Sequence, residues 1–157
     1  MGVKDNFLFR KATLEDVKKI QLLINTNAKK KLLLPRSLSY IYDNVRDFYV
    51  AVTRRGTVVG CCALHVVWED LAEIKSLVVK QDYRKHNLGT KLVDLCIQDA
   101  QEIGVKRIFT LTYVPKFFEK NKFKNIEKKY LPAKVWRECI ECAFFPDCGE
   151  VALIRKL

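Results

Sequence analysis

Residues 72–103 contain the arrangement in this sequence that is best suited to chemistry. An apolar segment at 73–79 leads into a polar, basic loop at 81–89, and a helical pattern runs from Leu88 to about Ile103. The first backbone N–H groups of a helix have no partner within it, and the helix dipole adds partial positive charge at that end. A strand, a loop with basic residues and a helix start, in this order, are typical of a phosphate-binding site. The segment therefore predicts an anion site where the loop meets the helix.

A second group of chemically active residues is Cys139, Cys142 and Cys148, a C-x2-C-x5-C pattern in a turn-rich segment. C-x2-C is half of a zinc knuckle, but a structural zinc usually has four ligands, and no further cysteine or histidine follows close by. Zinc binding, a disulfide and simple packing all stay open, and a reducing compartment favours packing. The remaining cysteines lie within apolar patterns and are expected to be small buried side chains: Cys61, Cys62 and Cys96.

Length and composition are those of an ordinary globular domain. The chain has 157 residues, of which 49% are hydrophobic and 30% charged. A chain of this size can bury a core without disulfide or metal support. No apolar run approaches the ~18–20 residues that span a bilayer, and no apolar signal core follows Met1. The sequence therefore predicts a single domain over residues 1–157, located in the cytoplasm.

The net charge of +11 has three explanations: nucleic-acid binding, an anionic small ligand, or a lysine-rich background composition. The lysines are spread along the chain and no nucleic-acid-reading motif accompanies them, which favours the background explanation. A positive protein also attracts an anionic ligand. We therefore expect a small molecule as the partner, rather than nucleic acid or a membrane, and a homodimer stays open.

The elements that position the anion site are predicted from hydrophobic periodicity and turn residues. Strand patterns occur at residues 7–10, 48–53, 58–67, 71–79, 107–113, 123–127 and 151–155. Helices are predicted after the caps Thr13 and Ser37, from Leu88 to the glycine cap at Gly104, and from Pro115. The core faces of the two longer helices carry apolar residues at helical spacing: Leu14, Val17, Ile20, Leu23 and Ile24 in the first, and Leu88, Leu92, Leu95, Cys96 and Ile103 in the second.

The order of these elements resembles that of the GCN5-related N-acetyltransferases (GNAT). Members of that family have a loop of the form Q/R-x-x-G-x-G/A after the central strand, and its amides hold the pyrophosphate of coenzyme A. Here the loop from Arg84 to Gly89 reads RKHNLG, so Asn87 replaces the first glycine. Asparagine is the non-glycine residue that best tolerates positive φ, and we expect the turn to be kept.

A later segment, residues 117–123, reads FFEKNKF and resembles the family's F-Y/F-E-K-x-G-F, which flanks the pantetheine and the thiol. Lys122 stands in place of the usual glycine. Phe118 stands where many members have a tyrosine that acts as general acid. That role is therefore not carried over to position 118.

Three further segments, at residues 34–37, 61–74 and 135–148, resemble the short, stand-alone amino-acid acetyltransferases akin to bacterial N-acetylglutamate synthases. The resemblance implies an α/β (α+β) fold with a mixed central sheet of about six to seven strands flanked by about four helices. It also implies acetyl-CoA as co-substrate and glutamate as acceptor, in the first step of arginine biosynthesis.

Acetyl transfer from a thioester to an amine needs a donor site, a base for the amine and a hydrogen-bond donor for the charge that develops on the thioester oxygen. The resemblance implies that backbone groups at 77–79 bind the pantetheine. It implies that the loop binds the pyrophosphate, helped by the charges of Arg84 and Lys85; a solvated basic loop is the alternative. The residues implied at the coenzyme site are Leu77, Val78, Val79, Arg84, Lys85, His86, Asn87, Leu88, Gly89, Thr90, Phe117 and Phe118.

The resemblance also implies residues for catalysis and for the acceptor. Glu73 is the candidate general base, because the family often places a catalytic carboxylate on this strand; an outward-facing position or an ion pair with Lys75 is the alternative. Lys75 and Arg36 are candidates for binding the acceptor's carboxylate, with a plain surface position as the alternative for Arg36. Tyr113 ends its strand beside the expected thioester and is the candidate proton donor to the leaving thiolate. We expect His65 to be structural.

Two other functions stay open. A GNAT enzyme acting on another amine, such as a protein N-terminus, a polyamine or an antibiotic, is the second hypothesis. A non-catalytic acyl-CoA or nucleic-acid-binding module is the third, and the charge of +11 supports it. Thiol release from acetyl-CoA in the presence of different amines separates the three.

Overall fold

The structure is a computed structural model that describes residues 6–30, 33–132, 135 and 149–157. Its strands are β1 (Leu8–Lys11), β2 (Phe48–Val52), β3 (Val58–Trp68), β4 (Leu71–Val79), β5 (Arg107–Thr112), β6 (Lys124–Asn125) and β7 (Val151–Lys156). The α-helices that lie wholly within the described ranges are α1 (Val17–Ala28), α2 (Leu38–Asp43), α3 (Leu88–Ile103) and α4 (Pro115–Lys120). Short 3₁₀ segments lie at Leu14–Asp16, Val45–Asp47, Gln81–His86 and Lys128–Tyr130. The predicted mixed α/β architecture is confirmed.

The strands form one mixed sheet in the order β1-β2-β3-β4-β5-β7-β6. Neighbouring strands are antiparallel except β4 and β5, which are parallel because the chain crosses over through α3 between them. The pairing of β4 with β5 runs only from Leu71 opposite Arg107 to Glu73 opposite Phe109. Past Glu73 the two strands no longer pair, which leaves room for a ligand between their C-terminal ends.

A β-bulge in β4 lies next to this unpaired region. The register with β3 shifts between Cys61 and Ala63, and Ser76 adopts a positive φ of 55°. The bulge reverses the alternation of side chains along the strand. In a regular strand, Ile74 and Val78 would lie on the same face, but Ile74 packs with α3 and Val78 packs with α1 and α2. The part of β4 before the bulge and the part after it therefore present different residues to a ligand.

Apolar clusters cover both faces of the sheet. One face packs against α3, whose Leu92 is fully buried. On the opposite face, α1 and α2 cover one half, and a separate cluster that includes Leu71 and Phe109 covers the other. Strand alternation puts Glu73 and Lys75 on this second face, between the two apolar clusters. The sheet thus carries a polar strip in an otherwise apolar surface.

The 3₁₀ segment that leads into α1 has the capping arrangement that the sequence predicts for the helix start. The backbone N–H of Thr13 donates to Oδ2 of Asp16 at 2.7 Å, and Arg10 donates to the two oxygens of the same carboxylate at 2.6 and 3.0 Å. Burial by itself raises the pKa of Asp16, but the hydrogen bonds from Arg10 and Thr13 and the Arg10 charge outweigh it and hold the pKa below its usual range. The folded protein therefore favours the ionised carboxylate.

We expect Asp16→Asn to lower the free energy of unfolding at pH 7 by about 2 kcal/mol, because charge-assisted hydrogen bonds to a buried carboxylate are lost. A carboxyl whose pKa is lower in the folded protein stabilises it fully above the unfolded-chain pKa. That stabilisation is lost as the pH falls through the folded value. Urea titrations from pH 7 down to about pH 2 should show a difference between the two proteins that shrinks on acidification.

The control for this measurement is Asp43→Asn, which changes an exposed carboxylate at the end of α2. It should leave the free energy of unfolding within about 0.5 kcal/mol of the parent protein. A deficit in Asp16→Asn that stays constant with pH would contradict the assignment of a lowered Asp16 pKa.

Some local predictions are wrong. Leu14 is 65% exposed, because it belongs to the 3₁₀ segment before α1 and does not continue the buried helical face. Ile103 is 57% exposed at the last position of α3, where the chain turns away through Gly104 at φ 94°. The strand predicted at 123–127 is limited to the two residues of β6, because Phe123 packs into the core beside α3 instead.

Other local predictions are confirmed. Ser37 caps α2, since its hydroxyl accepts a hydrogen bond from the Tyr40 N–H at 3.1 Å. Cys61, Cys62 and Cys96 are fully buried, and burial raises the pKa of the Cys61 thiol. Cys139, Cys142 and Cys148 lie outside the described residues. In the ranges that are described, no helix combines the length and the hydropathy needed to cross a bilayer.

Candidate active site

A cavity of about 450 Å³ opens beside the C-terminal end of β4. Its walls come from β4, the start of α3, α4 and the end of α1. A cavity of this size is typical of a small-molecule site. The residues that line it are Asn27, Leu33, Leu77, Val78, Val79, Arg84, Asn87, Gly89, Thr90, Val114, Phe117, Lys120 and Asn121.

The start of α3 forms one wall of this cavity. Asn87 has φ 57° and ψ 24°, which confirms the positive φ predicted for it. The helix's first hydrogen bond runs from Lys91 N to Asn87 O at 3.2 Å, so the N–H groups of residues 88–90 precede the helical hydrogen-bond ladder. These N–H groups and the helix dipole make the wall suitable for binding an anion.

Gly89 allows α3 and α4 to approach each other closely. A Cβ atom at this position would lie 3.3 Å from Cε2 and Cζ of Phe117 and 3.8 Å from Cγ2 of Val79. The Phe117 ring packs edge to face against Phe118, with 5.1 Å between the ring centres, and Phe118 is buried in the core. The Phe117 wall therefore has little freedom to move away from a larger side chain at position 89.

Arg84 combines a positive charge with a structural role. Its Nε donates to the carbonyl of Val79 at 3.1 Å, and its Nη2 donates to Oδ1 of Asn27 at 2.9 Å. Asn27 in turn donates to the carbonyl of Leu23 at 2.8 Å within α1. Arg84 thus connects the end of β4 to α1, and these bonds use two of the five guanidinium N–H groups. Lys120 adds a second cation to the cavity wall.

The polar strip on the sheet lies just before the bulge in β4. Glu73 and Lys75 are each 7% exposed. His65 on β3 is the cross-strand partner of Glu73, and its Nδ1 lies 2.8 Å from Oδ2 of Asp47. Directly opposite residues on antiparallel strands have Cβ atoms about 5 Å apart. The strip therefore gathers acidic and basic side chains on β3 and β4, just before the part of β4 that lines the cavity.

Arg36 lies between α1 and α2 and is held through its backbone. Its N–H donates to Oδ1 of Asn25 at 2.9 Å, and its carbonyl accepts from Nδ2 of Asn25 at 3.1 Å. The guanidinium carbon lies 4.4 Å from the centre of the Tyr40 ring, and Nζ of Lys75 lies 5.3 Å from the same centre. The two residues predicted to bind the acceptor's carboxylate are thus brought to one aromatic ring.

Several predicted coenzyme residues lie on the cavity wall: Leu77, Val78, Val79, Arg84, Asn87, Gly89, Thr90 and Phe117. Lys85 and His86 are exposed, and the His86 ring lies 5.4 Å from that of Phe7. The side chains of Leu88 and Phe118 are in the core, so only the backbone of Leu88 is available for the predicted amide role. For all the residues of the predicted coenzyme site, the contacts with the ligand stay predictions.

Tyr113 directly follows β5, and the next residue, Val114, lines the cavity. A Cβ atom on Gly149 would lie 3.6 Å from Cε1 of the Tyr113 ring, so the ring also packs near the start of β7. The backbone N–H of Val114 donates to Oγ1 of Thr112 at 2.9 Å, which fixes the turn out of β5. The role of Tyr113 as proton donor stays a prediction.

Sequence reasoning missed other residues of the site. Asn25 and Asn27 were not predicted because an asparagine within a helical pattern gives no sign of a partner distant in sequence. Tyr40 was not predicted either, since its neighbours become visible only when α2 packs on the sheet. Lys120 could have been predicted as a site residue, because it belongs to the FFEK segment that carries the resemblance to the GNAT family.

In the described part of the chain, no group of three or more His, Cys, Asp and Glu side chains is arranged to hold a metal ion. The zinc alternative concerned Cys139, Cys142 and Cys148, which lie outside that part.

The model of the acetyltransferase (GNAT) family matches residues 14–123. An uncharacterized N-acetyltransferase of Chlorobaculum tepidum is 37% identical over 148 residues, covering 94% of this chain and 95% of the relative. An amino-acid acetyltransferase of Mycobacterium tuberculosis is 38% identical over 131 residues, covering 82% of this chain and 75% of the relative.

Among solved structures, the Mycobacterium tuberculosis protein Rv2747 in complex with CoA and NLQ is similar with a TM-score of 0.83 and 32% sequence identity. The match covers 96% of this chain and 99% of that protein. Sequence and structure therefore agree over nearly the whole chain. The protein belongs to the acetyltransferase (GNAT) family and is an N-acetyltransferase.

Proposed function

We propose that this enzyme transfers the acetyl group of acetyl-CoA to the α-amine of an amino acid, with glutamate as the preferred acceptor. The observation that carries the proposal is the position of the polar strip. Glu73 and Lys75 lie on β4 just before the bulge, while the residues of β4 after the bulge line an anion-binding cavity. Since β4 carries both the polar strip and part of the cavity wall, it can hold two bound molecules next to each other for a reaction.

The donor half of the proposal rests on the fit between the cavity and coenzyme A. The N–H groups at the start of α3, with Arg84 and Lys120, suit a pyrophosphate. The unpaired ends of β4 and β5 give backbone groups of Leu77 to Val79 access to the amides of the pantetheine. The solved relative in complex with CoA supports this half of the proposal.

Proton transfer in the reaction between the two bound molecules is assigned to Glu73. Glu73 accepts a proton from the acceptor's ammonium group, and the free amine attacks the carbonyl carbon of the thioester. The carbon–sulfur bond then breaks and the nitrogen releases its second proton to solvent, which yields the neutral amide, the thiolate of CoA and a protonated Glu73. Tyr113, next to the cavity residue Val114, is the candidate donor of the proton that the thiolate takes up.

The acceptor half assigns the carboxylate to Arg36 and Lys75. Both cations contact the Tyr40 ring, and Lys75 is two residues from Glu73 on the same face of β4. A guanidinium and an ammonium suit an anionic acceptor better than a polyamine or another cation. The relative named amino-acid acetyltransferase supports this choice of acceptor class, and acetylation of glutamate would place the reaction at the start of arginine formation.

The proposal is tested by thiol release from acetyl-CoA with a panel of amines. We expect release with glutamate, less with glutamine, and none above background with spermidine or a peptide N-terminus, because only amino acids supply a carboxylate next to the amine. A thiol-reactive dye gives the initial rate, and reactions without an added amine measure the background hydrolysis.

Two results would contradict the proposal. Release only with polyamines, peptides or other amines would identify a different acceptor class and would leave acetyl transfer intact. No release with any amine, from protein that binds CoA in calorimetry, would contradict acetyl transfer itself and favour an acyl-CoA-binding module.

A further inference from the structure

Tyr40 carries a buried polar atom that the fold itself does not use. The Tyr40 hydroxyl oxygen is buried and has no hydrogen-bond partner in the described part of the chain. The only other buried side-chain nitrogen or oxygen without a partner in that part is Nε of Arg36. The two atoms belong to neighbouring groups, because the Arg36 guanidinium carbon lies 4.4 Å from the Tyr40 ring centre.

Orphaned buried polar atoms are rare, and each lowers stability by about 1–3 kcal/mol unless something pairs with it. Two of them in one contact pair indicate a shared cause. Packing alone does not explain the hydroxyl, since a phenylalanine would fill the same space without the penalty. A ligand oxygen that accepts from both Arg36 Nε–H and the Tyr40 hydroxyl accounts for the two atoms together.

Both groups are held in place before any ligand arrives. The Tyr40 N–H donates to the Ser37 hydroxyl at 3.1 Å, and the Tyr40 carbonyl accepts from Asn44 Nδ2 at 2.8 Å. Arg36 is fixed on both sides of its backbone by Asn25. A binding group whose backbone is already fixed loses little conformational entropy when the ligand binds.

The charge around Tyr40 selects the kind of ligand oxygen. Arg36 and Lys75 both lie against its ring, and carboxylate oxygens are the anionic acceptors that an amino acid supplies. We propose that Tyr40 is a specificity-determining residue of this enzyme, whose hydroxyl, together with Nε of Arg36, binds one carboxylate of the amino-acid acceptor. This inference rests on the proposed acetylation of an amino acid.

The proposal is tested with Tyr40→Phe, which removes only the hydroxyl. We expect kcat/KM for glutamate to fall about 10- to 100-fold, the range for a hydrogen bond to a charged group, while KM for acetyl-CoA stays the same. The matched control is Tyr42→Phe on the same helix, where the ring is 42% exposed. It should leave both constants unchanged.

The acceptor series identifies which carboxylate Tyr40 binds. Glutamine has an amide in place of the side-chain carboxylate of glutamate. Glutamic acid α-amide has an amide in place of the α-carboxylate. For the acceptor that lacks the bound carboxylate, the ratio of kcat/KM between parent and Tyr40→Phe protein should fall to near one. For the acceptor that keeps it, the ratio should match that for glutamate.

A stability measurement separates ligand binding from a structural role. Because the hydroxyl is unpaired in the free protein, Tyr40→Phe should keep or raise the Tm without ligand. The rise in Tm that saturating glutamate produces in the parent protein should be smaller in the variant. A lower Tm without ligand would assign the hydroxyl to the fold and overturn the inference.

The outcomes distinguish this inference from the proposed function. If the parent protein acetylates glutamate and Tyr40→Phe does so with the same kcat/KM, the inference is wrong and the proposed function stands. If the parent protein acetylates no amino acid, the proposed function is wrong and the inference falls with it.

Discussion

Replacing Glu73 with glutamine is expected to lower kcat by about 10²- to 10⁴-fold, the contribution of a positioned general base, and to leave the affinity for CoA unchanged. Glutamine has nearly the same shape and fills the same buried position between the two apolar clusters. It cannot accept a proton from an ammonium group at neutral pH. Glu73 lies outside the cavity lining, so the donor site should not be disturbed.

The pH dependence gives a second measure of the same effect. When the enzyme lacks its base, only acceptor molecules that have already lost their proton can react, so the rate of Glu73→Gln should rise steeply toward alkaline pH. The ratio of parent to variant rates should therefore shrink as the pH rises. Initial rates between about pH 6 and pH 10, with calorimetric CoA titrations, supply both quantities.

Glu69→Gln is the control, because it makes the same chemical change at an exposed position just before β4. Tyr113→Phe is measured in the same series, and an unchanged rate and pH profile would remove Tyr113 from the mechanism. An unchanged kcat in Glu73→Gln would remove Glu73 from proton transfer. The base would then have to be sought elsewhere on the polar strip.

Replacing Gly89 with valine is expected to raise the Kd for CoA about 100-fold or more. The Cβ atom alone would lie 3.3 Å from the Phe117 ring, and the two methyl groups of valine would extend from there into the cavity. They would also cover the N–H groups at the start of α3, where we propose that the pyrophosphate binds. Losing charge-assisted hydrogen bonds to a phosphate lowers affinity by about 1.5–3 kcal/mol for each bond.

A graded series makes this prediction specific. Gly89→Ala should raise the Kd less than valine does, since the Phe117 ring needs to move only a few tenths of an ångström to relieve the contact. Gln98→Val puts the same β-branched residue on the exposed side of α3 and controls for a general effect of valine in this helix. Isothermal titration with CoA supplies the three dissociation constants.

Two outcomes would contradict the assignment of the cavity. A Kd for Gly89→Val equal to that of the parent protein would show that CoA does not bind at this helix start. A comparable loss of affinity in Gln98→Val would show that CoA affinity responds to a valine anywhere in α3 rather than to the blocked cavity.

The parts of this site that depend on local conformation could be predicted from the sequence. The cap at Thr13, the cap at Ser37 and the left-handed turn at Asn87 each follow from the preferences of residues a few positions apart. The resemblance to the GNAT family then supplied the fold into which these elements assemble, which local preferences alone do not give.

The parts that depend on contacts between distant residues could not be predicted. Arg84 was expected to contribute only charge, whereas two of its N–H groups bind the Val79 carbonyl and Asn27. The partners of Tyr40 come from a loop and from β4, and no periodicity relates them. The exposure of Leu14 and Ile103 likewise depends on where each helix begins or ends on the sheet.

The two asparagines of α1 connect the proposed acceptor site to the proposed donor site. Asn25 holds the backbone of Arg36 on the acceptor side, and Asn27 accepts from Arg84 on the donor side, half a helical turn away. We expect any shift of this turn on binding one substrate to alter the geometry offered to the other. Thermodynamic linkage requires the effect to be reciprocal, so the factor by which CoA changes the affinity for the amino acid equals the factor by which the amino acid changes the affinity for CoA.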